Sequence, residues 1–469
     1  MRAAFQKETT MLRNTPDLEA LDRAYVLHPS THLEQHAHGT SPCRIVEGGE
    51  GAFIVDRDGK RFLDAFAGLY CVNVGYGRQE IADAIHRQAS ELAYYHAYAG
   101  HSHEPVIELS RRIIERAPKG MSKVYYGLSG SDANETQIKL VWYMNNVLGR
   151  PEKKKIISRD RGYHGSGLMT GSLTGLPLFH KAFDLPFPQV RHTLCPHHWK
   201  FSRPGEGEVD FSARCAAELD ALIEAEGPET VAAFIAEPAM GTGGLIPAPE
   251  GYWPAIQKVL KKHDVLLIAD EVVTAFGRLG TWFGAQYYDM QPDLITVAKG
   301  LTSAYLPLSG VIVSETVFEV LEQGAKEFGV LGHGWTYSAH PTCVAAGLKN
   351  LEIIEREDLL GNVQEVGPYL LGALRDALDD HPMVGEVRGV GMLAAVEFVQ
   401  DRAGRRFFEP QGKVGGAVAA ACAKRGMIAR AMPHGDILGF APPLTLRPEE
   451  ADQIARITRD AVDEVSRAL

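Results

Sequence analysis

Six short β-rich apolar runs through the middle of the chain constrain its fold more than any other feature. They are KVYYGLSG (123–130), KKIISRD (154–160), VAAFIAEP (231–238), VLLIADEV (265–272), LITVAKG (294–300) and LSGVIVS (308–314). Runs of this length without alternation are buried on both faces. Their alternation with helical patterns such as 132–147 and 252–263 predicts a largely parallel sheet covered on both sides. Ahead of them, GAFIVDRDGKRFLDAFAG (51–68) alternates and turns at Asp58-Gly59 like a hairpin. Beyond about residue 345, NLEIIERE, RGVGMLAAVEFV and the closing RPEEADQIARITRDAVDEVSRAL read as a smaller α+β unit. No Ser/Gly linker separates these parts, and the expected division falls at 1–75, 76–344 and 345–469.

Composition narrows the function classes. The 469 residues are 45% hydrophobic with a formal net charge of -11, so the chain can bury a large core but lacks the basic surface that nucleic acid or an anionic membrane requires. Met1–Asn14 carries Arg2, Lys7, Glu8 and Arg13 without a continuous apolar segment, and no stretch approaches a transmembrane length. The six cysteines are scattered without framework spacing, which predicts reduced thiols in a cytoplasm. Cys195-Pro196-His197-His198 finds no second ligand pair at usable spacing, so no metal is expected.

In an open α/β sheet, ligands bind beyond the carboxyl ends of the strands, and the unusual residues of this chain cluster there. Ser129, Gly130 and Ser131 open a helix whose free N–H groups and dipole suit a phosphate. Asp270 and Glu271 emerge directly from an apolar strand, Glu237 ends another, and Lys299 follows a third. Taken singly, each has a plain alternative: a helix cap without a ligand, a carboxylate paired with an arginine, a solvated strand tip. Together they supply an amine, two acids and a phosphate cradle, the set that pyridoxal 5'-phosphate (PLP) needs. A buried lysine has a depressed pKa, and its neutral amine can hold an aldehyde as a Schiff base and later move a proton. Asp270 would keep the pyridine nitrogen protonated, so that the ring accepts electrons.

The chain also resembles the class III aminotransferases of PLP fold type I, and within them the ω-amine:pyruvate transaminases. The resemblance runs over almost the whole chain, through AGLYCVNVGYG (67–77), YGLSGSDANET (126–136), GYHG (162–165), EPAMGTGG (237–244), LIADEVVTAFGRLG (267–280), DLITVAKGL (293–301), GHGWTYSAHP (332–341) and APPL (441–444). It implies a mostly parallel sheet in a large PLP-binding domain and a smaller α+β domain drawn from both termini. It also implies Lys299 as the Schiff-base lysine and Asp270 as the pyridinium partner. Ser129, Gly130 and Ser131 match the phosphate turn, Tyr163 the ring stacked on the cofactor, and Val272 its opposite face. Glu135 and Glu237 match supporting polar positions, and Thr336 matches a residue lent across a dimer interface. A homodimer with shared active sites follows, with tetramers left open.

For the substrates, the resemblance implies a primary amine and a keto acid, pyruvate, handled in a ping-pong cycle. Arg430 matches a mobile arginine that pairs the keto-acid carboxylate and swings aside for an apolar group. Tyr70, Tyr98 and Tyr163 match pocket positions, and the small Ala99 and Ala239 suggest room for a bulky amine. Met240 departs from the glutamine common in the class, and a thioether cannot replace its hydrogen bond to the cofactor. A decarboxylase or racemase of the same class is the alternative reading.

Overall fold

The structure, a computed structural model, describes residues 17–469. The reading of Met1–Asn14 lies outside the described residues. The six runs become six strands of a seven-stranded sheet: β1 (Met121–Gly127), β2 (Lys155–Arg159), β4 (Val231–Ala236), β5 (Leu266–Asp270), β6 (Leu294–Val297) and β7 (Ser309–Ser314). The seventh, β3 (Val190–Thr193), has no counterpart among those runs. The spatial order is β1-β7-β6-β5-β4-β2-β3. Neighbours pair in parallel except at β7, which runs antiparallel to both β1 and β6. The carboxyl ends of the other six strands therefore share one side of the sheet.

Burial explains why these runs lack alternation. All six residues of β4 are buried, with Ala233 and Ile235 facing one apolar cluster and Phe234 and Ala236 the other. One face is covered by Ile138 and Val141 of helix Gly130–Val147, the other by Trp253, Ile256 and Leu260 of helix Tyr252–Lys262. The strand β3 reads Val-Arg-His-Thr and lies at a sheet edge with its two middle residues half-buried. An edge strand needs fewer apolar residues, and so it gives no continuous run.

Two smaller sheets flank the large one. Strands Val46–Glu50, Phe53–Asp56 and Arg61–Asp64 form a meander, and Arg61–Asp64 pairs in parallel with Met427–Ile428 near the other chain end. The hairpin turn contains Gly59 at φ 78°. A third, antiparallel sheet joins Val384–Val390, Leu393–Phe398, Ile437–Phe440 and Arg430–Ala431.

Candidate active site

A cavity of about 250 Å³ opens at the carboxyl ends of β4, β5 and β6. The strand β5 delivers Asp270 into its wall, where the side chain is buried and has no arginine partner among the described residues. Its Oδ2 accepts hydrogen bonds from Asn134 Nδ2 and His164 Nδ1, both at 2.8 Å, and its Oδ1 accepts the Val272 N–H at 3.1 Å. Asn134 is braced in turn: its carbonyl oxygen accepts the Thr296 hydroxyl at 2.5 Å. Asn134, His164 and the Val272 N–H thus orient the carboxylate at the cavity wall with no arginine beside it among the described residues. A carboxylate placed in this way can meet a cationic ligand group.

Lys299 lies two residues beyond β6, in a short helical turn at φ 41° rather than on the strand itself. Its Nζ stands 5.0 Å from the centre of the Tyr70 ring and has no carboxylate within ion-pair distance among the described residues. Burial lowers its pKa from the ordinary lysine value; nearby Arg430 and Arg278 act the same way, while Cys71 and Asp270 oppose. The amine is therefore biased toward its neutral, nucleophilic form.

After β1, the Ser129 hydroxyl accepts the Asp132 N–H at 3.2 Å, and the Asp132 carboxylate receives the N–H groups of Leu128 and Ser129. This reciprocal cap starts the helix at Gly130, two residues before the sequence-predicted start. The Gly130 and Ser131 N–H groups have no acceptor among the described residues, and both residues line the cavity. A Cβ on Gly130 would stand 2.8 Å from Val272 Cγ2, so only glycine leaves this cradle open. Ser131 Oγ accepts the Ser166 N–H at 3.1 Å, tying the cradle to the 162–170 loop.

That loop carries Tyr163, half-buried, with its ring edge-on to Phe179 at 5.4 Å. Glu237 braces the loop: its Oε1 accepts the Tyr163 N–H at 3.1 Å and its Oε2 takes Arg159 Nη2 at 2.9 Å. Glu237, whose plain alternative was a solvated strand tip, is instead buried and paired with Arg159. Glu135 acts similarly, accepting the Thr170 N–H at 3.0 Å away from the cavity.

Opposite the cradle, Ala67, Gly68, Leu69 and Tyr70 all have φ between 43° and 79°. Such a run is strained and needs support. Asp64 supplies it, accepting the Phe66 and Gly68 N–H groups at 3.0 and 2.7 Å and the Tyr76 hydroxyl at 2.6 Å. The result sets the buried Tyr70 ring beside Lys299, with Phe66 4.4 Å behind it. Arg430 lies over Phe66 at 5.6 Å, lines the cavity and has no carboxylate partner among the described residues.

The cavity thus brings together Lys299, Asp270, Gly130, Ser131, Tyr163, Val272, Glu237, Tyr70 and Arg430. It does not include Tyr98, Ala99 or Thr336. Tyr98 and Ala99 line a separate hollow with Tyr125 and Ser338, and Thr336 is exposed, its carbonyl accepting the Tyr94 hydroxyl at 2.6 Å. Met240 turns away into a buried cluster, 3.6 Å from Cys195 Sγ, so the side chain that replaces glutamine does not line the cavity. Residues the sequence reading missed are Asn134, His164, Thr242 and Ser30. Asn134 was detectable as a polar residue among the buried positions of helix Gly130–Val147, and His164 stands inside the GYHG motif.

The donor set fits PLP: two helix-start N–H groups without an acceptor among the described residues for a phosphate, a carboxylate without an arginine partner for a pyridinium, and an amine of lowered pKa for an aldehyde. Comparisons with known proteins agree. The Aminotransferase class-III family matches residues 35–462. The chain is 61% identical over 455 residues to a diaminobutyrate–2-oxoglutarate transaminase of Halomonas elongata, covering 97% of each. Among solved structures, a transaminase from directed evolution by ancestral reconstruction superposes with TM-score 0.95 at 66% identity, over 97% of this chain and 99% of that one. The ω-transaminase of Pseudomonas jessenii in complex with PMP gives TM-score 0.93 at 44% identity, over 96% of this chain and 98% of that one. The chain belongs to the class III aminotransferases, PLP-dependent enzymes of fold type I.

Proposed function

We propose that this aminotransferase is an ω-amine:pyruvate transaminase, moving the amino group of a primary amine to pyruvate in a ping-pong cycle. PLP supplies the aldehyde that carries the amino group and the ring that takes up electrons. Lys299 would hold PLP through its aldehyde, and its Nζ, biased toward the neutral form, would stand ready to move a proton at the substrate carbon. Asp270, fixed by Asn134 and His164, keeps the ring nitrogen protonated. Gly130 and Ser131 would hold the phosphate through their N–H groups with Ser129 capping the turn, and Tyr163 and Val272 would supply the walls for the ring. Tyr70, Tyr163 and the partner-facing Tyr98 shape the amine side. Two chains share their sites, Thr336 of each serving the other.

The observation that supports pyruvate is Arg430. Lys299 and Arg430 are the one lysine and the one arginine among the described residues lining the cavity, and Lys299 is committed to the cofactor. One arginine matches the single carboxylate of pyruvate, while its place over the Phe66 ring leaves an apolar wall for an amine substituent. A second carboxylate, as in 2-oxoglutarate, meets no further lysine or arginine among the described residues lining the cavity.

The similarity to a diaminobutyrate–2-oxoglutarate transaminase favours a second reading, with 2-oxoglutarate as acceptor. Single-turnover kinetics of the amine-loaded enzyme separate the two. Pyruvate is expected to react faster than 2-oxoglutarate by about tenfold or more in kcat/KM. The reverse order assigns the acceptor to the dicarboxylate, and release of CO₂ or a racemised amine assigns a different reaction.

A further inference from the structure

Arg278, in the stretch AFGRLG (275–280), is fully buried and does not line the cavity. Its guanidinium meets only neutral acceptors among the described residues. Nη1 donates to the Pro442 carbonyl, and Nη2 to Asn73 Oδ1 at 2.7 Å and to the Tyr70 carbonyl at 3.4 Å. Nε has no partner among the described residues, and no carboxylate there stands within ion-pair distance. Two other buried arginines are neutralised: Arg159 by Glu237, and Arg388 by Glu386 and Glu397. A buried cation without a counter-ion is costly to keep. Burial pushes the Arg278 pKa down to about 10, with Cys71, Tyr70 and Asp64 opposing, so it stays charged at neutral pH.

The acceptors of this guanidinium border Lys299. The Tyr70 carbonyl ends the strained 67–70 run, whose ring lies 5.0 Å from Lys299 Nζ. Asn73 donates from Nδ2 to the Phe276 carbonyl at 2.9 Å and packs on Gly300, the neighbour of Lys299, so closely that a Cβ on Gly300 would collide with Asn73 Nδ2. The Asn73 carbonyl in turn accepts the Leu444 N–H at 2.8 Å, beside Pro442. One side chain thus ties segments from both ends of the chain to the turn that presents the lysine.

Four charged or titratable groups act on the Lys299 amine: Cys71 and Asp270 favour its protonated form, while Arg430 and Arg278 oppose it. Burial pushes the Cys71 thiol and the Tyr70 hydroxyl up, so both stay neutral at pH 7 and leave one anion against two cations. Arg430 lines the cavity, where a substrate carboxylate can neutralise it. Arg278 is sealed from any substrate.

We infer that Arg278 is a positioning residue for Lys299: its fork fixes Tyr70 and Asn73 against the lysine's turn, and its unpaired charge stands there whether or not substrate fills the cavity. The inference rests on Lys299 as the lysine that holds PLP. A like charge beside a nitrogen disfavours its protonated form, so removing Arg278 makes the Lys299 nitrogen easier to protonate.

A pH titration of the PLP-loaded enzyme, following the visible absorption of the cofactor bound to Lys299, tests this. Arg278→Gln and Arg278→Met remove the charge, and the apolar methionine, which needs no counter-ion, guards against a glutamine variant that fails to fold. Both are expected to raise the titration midpoint by about one pH unit, a tenfold gain in proton affinity. Arg278→Lys keeps a positive charge without the fork and is expected to move the midpoint less than either. Thermal melting checks the fold of each variant; a merely structural role lowers the melting temperature and leaves the midpoint where it is. An unchanged midpoint in the folded variants overturns the inference, and an equal rise in all three overturns the part played by the charge. A wild type that binds PLP without the visible band overturns the role of Lys299 itself, and this inference with it.

Discussion

At Lys299 the strand stops one residue short, and a left-handed turn presents the amine to the cavity rather than to the sheet. Lys299→Ala is expected to abolish the visible band of the cofactor bound to the lysine and to lower turnover by at least about 10²–10⁴-fold, because the proton-moving group is lost. An absorption spectrum with a product assay checks both. Retained turnover would move the proton transfer to another group. Arg430→Ala is expected to raise the KM for pyruvate by about 10–100-fold, the loss of a charge-assisted contact of about 1.5–3 kcal/mol, while sparing the half-reaction with apolar amines. An unchanged pyruvate KM removes Arg430 from that role. Both residues were legible in the sequence because a charge beside an apolar run needs a reason. Asn134 and His164 left only weaker marks, a polar residue on a buried helix face and a histidine inside GYHG, and nothing tied them to Asp270 until the fold brings each to 2.8 Å from it.

Among the elements, the turn from β1 into helix Gly130–Val147 does most to shape the cofactor site. The Ser129–Asp132 cap satisfies the N–H groups of Leu128, Ser129 and Asp132, and those of Gly130 and Ser131 are left without an acceptor among the described residues. Gly130→Ala is expected to press on Val272 and weaken cofactor retention by about tenfold, or about 1.4 kcal/mol. In a double-mutant cycle, Val272→Ala should recover part of that loss, since the contact at 2.8 Å couples the two positions. Equilibrium dialysis of PLP reads the cycle, and purely additive losses would show that the Val272 contact is not the cause. The apolar runs gave six of the seven large-sheet strands because each is buried on both faces. The seventh escaped notice because an edge strand is not, and the strained 67–70 segment escaped because its conformation is imposed by Asp64 rather than by its own residues.

At the scale of the whole molecule, two of the predicted residues missing from the cavity, Tyr98 and Thr336, lie on one exposed aromatic surface. Tyr98 is 44% exposed, near Tyr94 and Tyr95, and Tyr94 bonds the Thr336 carbonyl and meets Tyr337 edge-on at 5.6 Å. Aromatic residues clustered in this way on a surface mark an interface. The sequence could name Thr336 and Tyr98 through the family resemblance, but one chain alone gives them no cavity to line. The proposed dimer makes a specific demand on mixed enzyme. A chain carrying Lys299→Ala keeps Thr336 to lend, and a chain carrying Thr336→Val keeps Lys299 to use. In a hybrid dimer one of the two sites then receives both intact residues, while the other receives neither. Subunit exchange between the two variants is therefore expected to produce activity above the sum of the parents, approaching half that of wild type at the hybrid fraction formed. Gel filtration follows the exchange and a coupled amine assay follows the activity. Activity that stays at the sum of the parents, in a preparation shown to contain hybrids, would mean that Thr336 serves no site but its own chain's surface.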